Sequence, residues 1–303
     1  MASRQIIWQY GSTGVSTVGD NQLHYPFNSF QLLNGNILIS DVQSHRIIEV
    51  DRNRRVIWQY GTTNASGSGD NQLYSPYVAV QLSNGNILIT DTKNHRVIEV
   101  DRNRRIIWQY GTTTILGSGD NQLYEPFFSV QLSNGNILIT DTYNNRIIEV
   151  DRNRQIIWQY GVTGSSGAAD NKLYEPYSAV QLSNGNILIS DTFNLRVIEV
   201  DRNRQIIWQY GTKWVEGSGD NLLKYPYLAV QLSNGNILIS DTSNSRIIEV
   251  DRNRQIIWQY GTSNVIGSAD NQLKLPYSAT QLLNGNILIS DTNSHRVIEV
   301  ARG

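Results

Sequence analysis

The sequence predicts an all-β fold, a six-bladed β-propeller with four antiparallel strands in each blade, and three observations predict it. First, a unit of fifty residues recurs six times: Ile/Val-Ile-Trp-Gln-Tyr-Gly begins at Ile6, Val56, Ile106, Ile156, Ile206 and Ile256, and Asn-Gly-Asn-Ile-Leu-Ile begins at Asn34, Asn84, Asn134, Asn184, Asn234 and Asn284. Periods of this size mark solenoids, propellers or arrays. Second, each unit reads as four short strands apolar on both faces and no segment keeps a helical period, which suits propeller blades better than a sandwich with one wet face. Third, the chain opens in a fourth strand (4–10) and stops after a third (296–300), so the last blade is complete only if 4–10 joins 276–300 and seals the ring.

Residues 76–110 show how each strand is argued. Pro76 opens "PYVAVQL", a position where a strand tolerates proline. Asn84-Gly85 then predicts a tight hairpin with both residues at positive φ. "NILIT" is a continuous apolar run, as in a strand buried on both sides. Asp91-Thr92-Lys93-Asn94 makes the next turn, Asp and Asn being able to bond nearby backbone, and "RVIEV" is the third strand. Asp101-Arg102-Asn103-Arg104 turns again into "RIIWQY", with Ile106, Trp108 and Tyr110 on one face. One domain over 1–303 follows, with blades at 26–60, 76–110, 126–160, 176–210, 226–260, and 276–300 plus 4–10. Removal of residues 1–10 is expected to leave the ring unstable or aggregating.

The 303 residues carry a net charge of −1, which provides no chain-wide field for nucleic acid or an anionic membrane. With no cysteine there are no disulfides and no thiolate metal ligands. No signal peptide precedes the repeats and no apolar run is long enough to span a bilayer. The expectation is a soluble, cytoplasmic monomer, or a secreted one already trimmed of its signal.

Residues 67–101, "GSGDNQLYSPYVAVQLSNGNILITDTKNHRVIEVD", resemble an NHL repeat: a Gly-Asp-rich lead-in, a proline, an apolar strand, a Gly-Asn turn and Asp-Thr-x-Asn-His-Arg before the third strand. The naming triplet stands at Asn94, His95 and Arg96, and the resemblance extends over all six units. It departs at Asn145, Leu195 and Ser245, where histidine is replaced, and at Ser44 and Ser294, where asparagine is replaced. The resemblance implies a six-bladed propeller used mostly for binding. Some members of the family bind RNA, others bind proteins or sense ligands at a cell surface, and one related group is a metal-dependent lyase.

The copies differ on one side of the predicted disc. Alternating strand ends place the fourth-to-first connection and the second-to-third turn on one face. The other face carries the Asn-Gly-Asn turn six times and Arg-Asn-Arg five times. On the first face stand Gly14, Asn64, Thr114, Gly164, Trp214 and Asn264, with Glu216 two residues past Trp214. Before each proline stand His24-Tyr25, Tyr74-Ser75, Tyr124-Glu125, Tyr174-Glu175, Lys224-Tyr225 and Lys274-Leu275. Two residues beyond it stand Asn28, Val78, Phe128, Ser178, Leu228 and Ser278, and in the second-to-third turn Gln43, Lys93, Tyr143, Phe193, Ser243 and Asn293. Rigid aromatics among small polar residues are the composition of binding loops. The competing account is that surface loops drift; the near-constancy of the opposite loops speaks against it, although those turns are short and their Asn-Gly is nearly obligatory.

The charged framework is read as structural. Asp91 and its equivalents should accept backbone or arginine hydrogen bonds, and Glu99 and its equivalents need a buried partner such as arginine. His45, His95 and His295 come from adjacent blades. Equivalent atoms there should lie about 10 Å apart or more, against zinc bonds of about 2 Å, so no metal site and no cofactor is expected. No nucleophile or matching acid joins the Glu125–Glu175 carboxylates, which argues for a non-enzymatic chain. For RNA, Lys93, Lys172, Lys213, Lys224 and Lys274 are offset by Glu125, Glu175, Glu216 and the acidic framework; the Arg-Asn-Arg turns of the other face are a weaker phosphate candidate. Nucleic acid is therefore a lesser alternative.

The reading is a recognition module for a protein, peptide or glycan. Its candidate ligand-binding residues are Tyr25, Tyr74, Lys93, Tyr124, Glu125, Phe128, Tyr143, Tyr174, Glu175, Phe193, Trp214, Lys224, Tyr225 and Lys274. Trp214 lies outside the framework tryptophans and is the foremost anchor. The alternative is a ligand-free structural or designed symmetric scaffold, since near-identical repeats are highly designable.

Overall fold

A computed structural model describes residues 5–17 and 19–302. Twenty-four strands form six four-stranded antiparallel sheets. Blade 1 consists of Pro26–Gln31, Ile37–Asp41, Arg46–Val50 and Val56–Tyr60, and blades 2 to 5 repeat it at intervals of fifty residues, except that the first strands of blades 3 and 4 are shorter, Phe128–Gln131 and Ser178–Gln181, and begin two residues past the expected 126 and 176. In blade 6 the strand Ile6–Tyr10 pairs with Arg296–Val300, with Trp8 opposite Glu299 and Tyr10 opposite Val297. The ring is thus closed by the first strand of the chain; Arg4, part of the expected 4–10 segment, lies outside the described residues.

The second and third strands of each blade are buried throughout, as their apolar runs require. Their side chains, with the inward Trp and Tyr of the fourth strand, fill the wedges between neighbouring blades. Between blades 4 and 5, for example, Leu188, Val197 and Tyr210 pack against Ile237, Ile239 and Ile248. Beside this apolar core sits a repeated polar rivet. The Glu99 carboxylate accepts from Asn84 and Asn86 Nδ2, at 2.9 and 2.6 Å, and pairs with Arg152 of the next blade. The Arg152 guanidinium lies 5.0 Å from the Trp108 ring centre, and the Trp108 indole N–H donates to the Arg152 carbonyl at 3.0 Å. Burial alone would raise Glu99; the bonds from Asn86, Arg152 and Asn84 overcome this and hold it below the usual carboxylate range. Both ends of the chain join the same device: Trp8 and Glu299 hold Arg52, and Arg302 pairs with Glu249 at 2.6 Å.

The Asn-Gly turn departs from expectation. Gly85 has φ 86° but Asn84 is not at positive φ. The Gly85 N–H donates to Leu82 O and the Leu82 N–H to Asn86 O, which makes a three-residue loop with glycine in the left-handed position. Asn84 is chosen for its side chain, which accepts from the Asn86 N–H at 3.0 Å while donating to Glu99. The Asp-Arg-Asn-Arg turn uses the same loop with Arg104 at φ 68° in place of glycine. Its arginines are committed: the first to glutamate and tryptophan, the second (Arg104 Nε) to Gln59 O at 2.9 Å.

Candidate functional site

The diversified face is built from two loops per blade, each pinned at its ends. In the fourth-to-first connection Gly61 has φ 94°, and a Cβ there would lie 2.3 Å from His45 O, so only glycine fits. The Gly61 N–H donates to Asn71 Oδ1 at 3.0 Å and Leu73 is fully buried. The residues between these anchors contribute little to the framework and are free to differ.

The second-to-third turn is a single 3-10 turn over Thr92–Asn94, and its carboxylate gathers three partners. Asp91 accepts from the Tyr74 N–H at 2.8 Å, Asn94 Nδ2 at 2.8 Å and Arg96 Nε at 2.8 Å. Burial pushes this carboxyl up, and Arg96 with the hydrogen bonds works against that. His95 sits in the left-handed conformation at φ 55°, and its Nδ1 accepts from the Glu125 N–H of the next blade at 3.2 Å. Burial holds this imidazole below its ordinary pKa, consistent with an accepting, neutral ring. His45 and His295 make the same bond to Ser75 and Tyr25, and Asn145 makes it to Glu175 with its amide oxygen at 2.9 Å. The histidines therefore stitch blades together, and among the described residues no three His, Asp or Glu side chains gather so as to hold a metal ion.

The channel mouth on this face is closed by residues that sequence reasoning passed over. Phe27, Tyr77, Phe127, Tyr177, Tyr227 and Tyr277 form a continuous ring with neighbouring centroids 4.4–4.8 Å apart. Burial pushes the Tyr77, Tyr177 and Tyr227 hydroxyls well up. The signal was present: the residue after every proline is Phe or Tyr. Beneath this ring Phe128, a sequence candidate, is 3% exposed and packs with Val78 and Leu228 as channel filling, out of reach of a ligand at the mouth.

Around the ring the remaining candidates divide into two groups. One group lies along an arc across blades 2 to 5. Lys93 Nζ pairs with both Glu125 oxygens at 2.8 and 2.7 Å, Tyr124 lies 5.2 Å from Tyr143, and Phe193 lies 5.3 Å from Tyr174 and 5.2 Å from Tyr225. Lys224 pairs with Glu216 at 3.1 Å. Trp214 is 68% exposed at φ 59°, its indole N–H donating to Asn194 Oδ1 at 3.0 Å beside Phe193. Tyr74 borders the arc, its carbonyl accepting from the Lys93 N–H at 3.1 Å while its ring lies 5.5 Å from His45; Tyr25, edge-on to His295 at 4.8 Å, and Lys274, exposed on blade 6, stand apart.

The opposite mouth also holds features missed from the sequence. A recess of about 360 Å³ is lined mainly by Phe30, Val80, Val130, Val180, Val230 and Leu33. Leu33 and Leu283, 89% and 82% exposed, replace the serine of the other four units in adjacent blades 1 and 6. The apolar recess at the channel is thus on the more repetitive face, while the aromatic ring plugs the diversified mouth.

No family model matches the chain, and the search of curated proteins gives no match. Solved structures resemble it in fold. A protein of unknown function from Bacteroides thetaiotaomicron superposes with a TM-score of 0.71 at 14% identity, over 97% of this chain and 76% of that one. A streptogramin B lyase superposes with a TM-score of 0.64 at 13% identity, over 97% and 98%. The WD40 β-propeller domain of Doa1 superposes with a TM-score of 0.62 at 10% identity, over 100% and 98%. At these identities the likeness establishes the fold alone: the chain is an all-β, six-bladed propeller.

Proposed function

We propose that this propeller is a non-enzymatic recognition module, NHL-like in its blades, that binds a protein, peptide or glycan on its diversified face. The observation that carries the reading is the set of partly exposed aromatic and charged side chains that four consecutive blades place side by side from Lys93 to Tyr225, with Lys93 paired to Glu125, Tyr124 beside Tyr143, and Phe193 beside Tyr174 and Tyr225. Rigid aromatics flanked by adaptable polar groups supply contact area at low entropic cost. Trp214 adds weight. Its left-handed backbone is one that glycine or asparagine fills in four other units, and a bulky residue there costs the fold about 1 kcal/mol or more. The indole is nevertheless presented to solvent, with its N–H anchored. The NHL reading is supported by the triplet's geometry: Asn94 and Arg96 hold Asp91, and His95 reaches the next blade.

A peptide and glycan array tests the proposal. Hits should lose about 2 kcal/mol of affinity in Trp214→Ala and in Tyr174→Ala, and none in Leu283→Ser on the opposite face. Unchanged binding in the first two variants removes the reading. Loss confined to Leu283→Ser would favour a second reading, carried by the apolar recess and the two exposed leucines, in which an apolar group docks at the opposite mouth. An array without hits would favour the ligand-free scaffold.

A further inference from the structure

The repeat provides an internal comparison within the arc. The middle residue of the second-to-third turn stands next to the residue before the following blade's proline, as with Lys93 and Glu125 and again with Phe193 and Tyr225. At the first such place of interest Lys93 meets Glu125, and the ammonium bridges both carboxylate oxygens at 2.8 and 2.7 Å. One blade on, the glutamate is kept as Glu175 but the lysine is replaced by Tyr143. Backbone geometry is preserved: Glu125 and Glu175 have φ 43° and 41°, and each N–H is held by the preceding blade, by His95 or by Asn145. Among the described residues Glu175 has no ion-pair partner. Tyr143 and Tyr177 are close enough to feel its charge, and Tyr174 and Phe193 flank the same loop pair with ring centres 5.3 Å apart. Burial pushes the Glu175 carboxyl up, the direction expected of a partly desolvated carboxylate without a cation.

We infer that Glu175, at the place where Tyr143 stands in for Lys93, receives a lysine side chain from a bound peptide or protein, which supplies to Glu175 the ammonium that Lys93 supplies to Glu125. The chemistry fits at both ends of such a side chain. The carboxylate accepts the ammonium's hydrogen bonds, and the aromatic faces cover the methylene stem and favour a cation beside them. An acidic or phosphorylated ligand is disfavoured by the same carboxylate. The inference rests on the diversified face being the binding face and names the chemistry of one contact on it.

The test is an NMR titration of the folded protein with Nα-acetyl-lysine-N-methylamide, and in parallel with the norleucine analogue, which keeps the stem and lacks the ammonium. The lysine probe should give saturable shifts at Glu175 and Tyr143, and the norleucine probe should not. Glu175→Gln should weaken the lysine probe roughly tenfold or more. Tyr143→Lys should do the same while keeping the fold, because it installs the Lys93–Glu125 pair one blade on. Absence of saturable shifts in the natural chain, equal binding of the norleucine probe, or undiminished binding to Tyr143→Lys overturns the inference. Array hits that map to this face but contain no lysine overturn it too while leaving the broader reading intact.

Discussion

The two faces of the disc treat their polar side chains in opposite ways. On the repeated face, Glu99, Asn84, Asn86, Arg152 and Trp108 are committed to one another, and the same rivet recurs around the ring. On the other face, the framework bonds come from a few pinned groups (Asp91, Arg96, Asn71), while Tyr174, Trp214 and Lys274 are exposed. The contrast teaches why one set of loops is copied and the other is not. A residue that satisfies buried partners in the next blade cannot change alone without leaving those partners unpaired. A residue suspended between pinned anchors can.

Four experiments break or sharpen that contrast, beginning with the largest expected effect. Removal of residues 1–10 takes Trp8 and Tyr10 from the core, exposes the edge of Arg296–Val300 and leaves Arg52 without its tryptophan. Calorimetry should show no cooperative transition at the temperature of the full chain; an unchanged melt would mean that the ring does not depend on its closure.

Next is Asp191→Asn. Asp191 and Arg196 are both fully buried and bonded at 2.7 Å, so the variant strands a buried guanidinium. A loss of about 3–5 kcal/mol in chemical denaturation is expected. Glu99→Gln should cost less, about 1–2 kcal/mol at neutral pH, because its arginine partner is 39% exposed and screened by solvent. The sign of its pH dependence is defined. Glu99's folded pKa lies below its ordinary 4.5, so its contribution is complete above that value and is lost as pH falls through the folded one. The variant should therefore flatten the acid limb of the stability profile. The smallest effect runs the other way. Trp214→Asn relieves the left-handed strain and should raise stability by about 0.5–1 kcal/mol while weakening ligand. A variant that loses stability would show that the indole serves the fold.

The architecture was legible in the sequence because each level repeated the same statement six times. The fifty-residue period, the apolar second strand and the truncated first and last units specify blades and closure without reference to any side-chain contact. The roles of Asp91 and Glu99 were legible from the rule that buried carboxylates need partners. Three things were not. The Asn84-Gly85 turn was misread because the dipeptide alone does not distinguish a two-residue loop from a three-residue one, and only the bonds of Asn84 decide it. The aromatic plug was missed because attention went to positions whose chemistry changes, whereas Phe27 and Tyr77 belong to a set that keeps an aromatic ring in every unit. Phe128 was placed on the binding face because it follows the proline by two residues, whereas it is the residue after the proline that reaches the mouth and Phe128 lies buried beneath it.

The most direct test of the recognition account is hydrogen–deuterium exchange of the protein with and without a ligand captured on the array. The account predicts new protection in the loops carrying Tyr124, Tyr143, Tyr174, Phe193 and Trp214, with the Asn-Gly-Asn turns unchanged. Protection confined to the turns around Leu33 and Leu283 would contradict it and place binding at the opposite mouth.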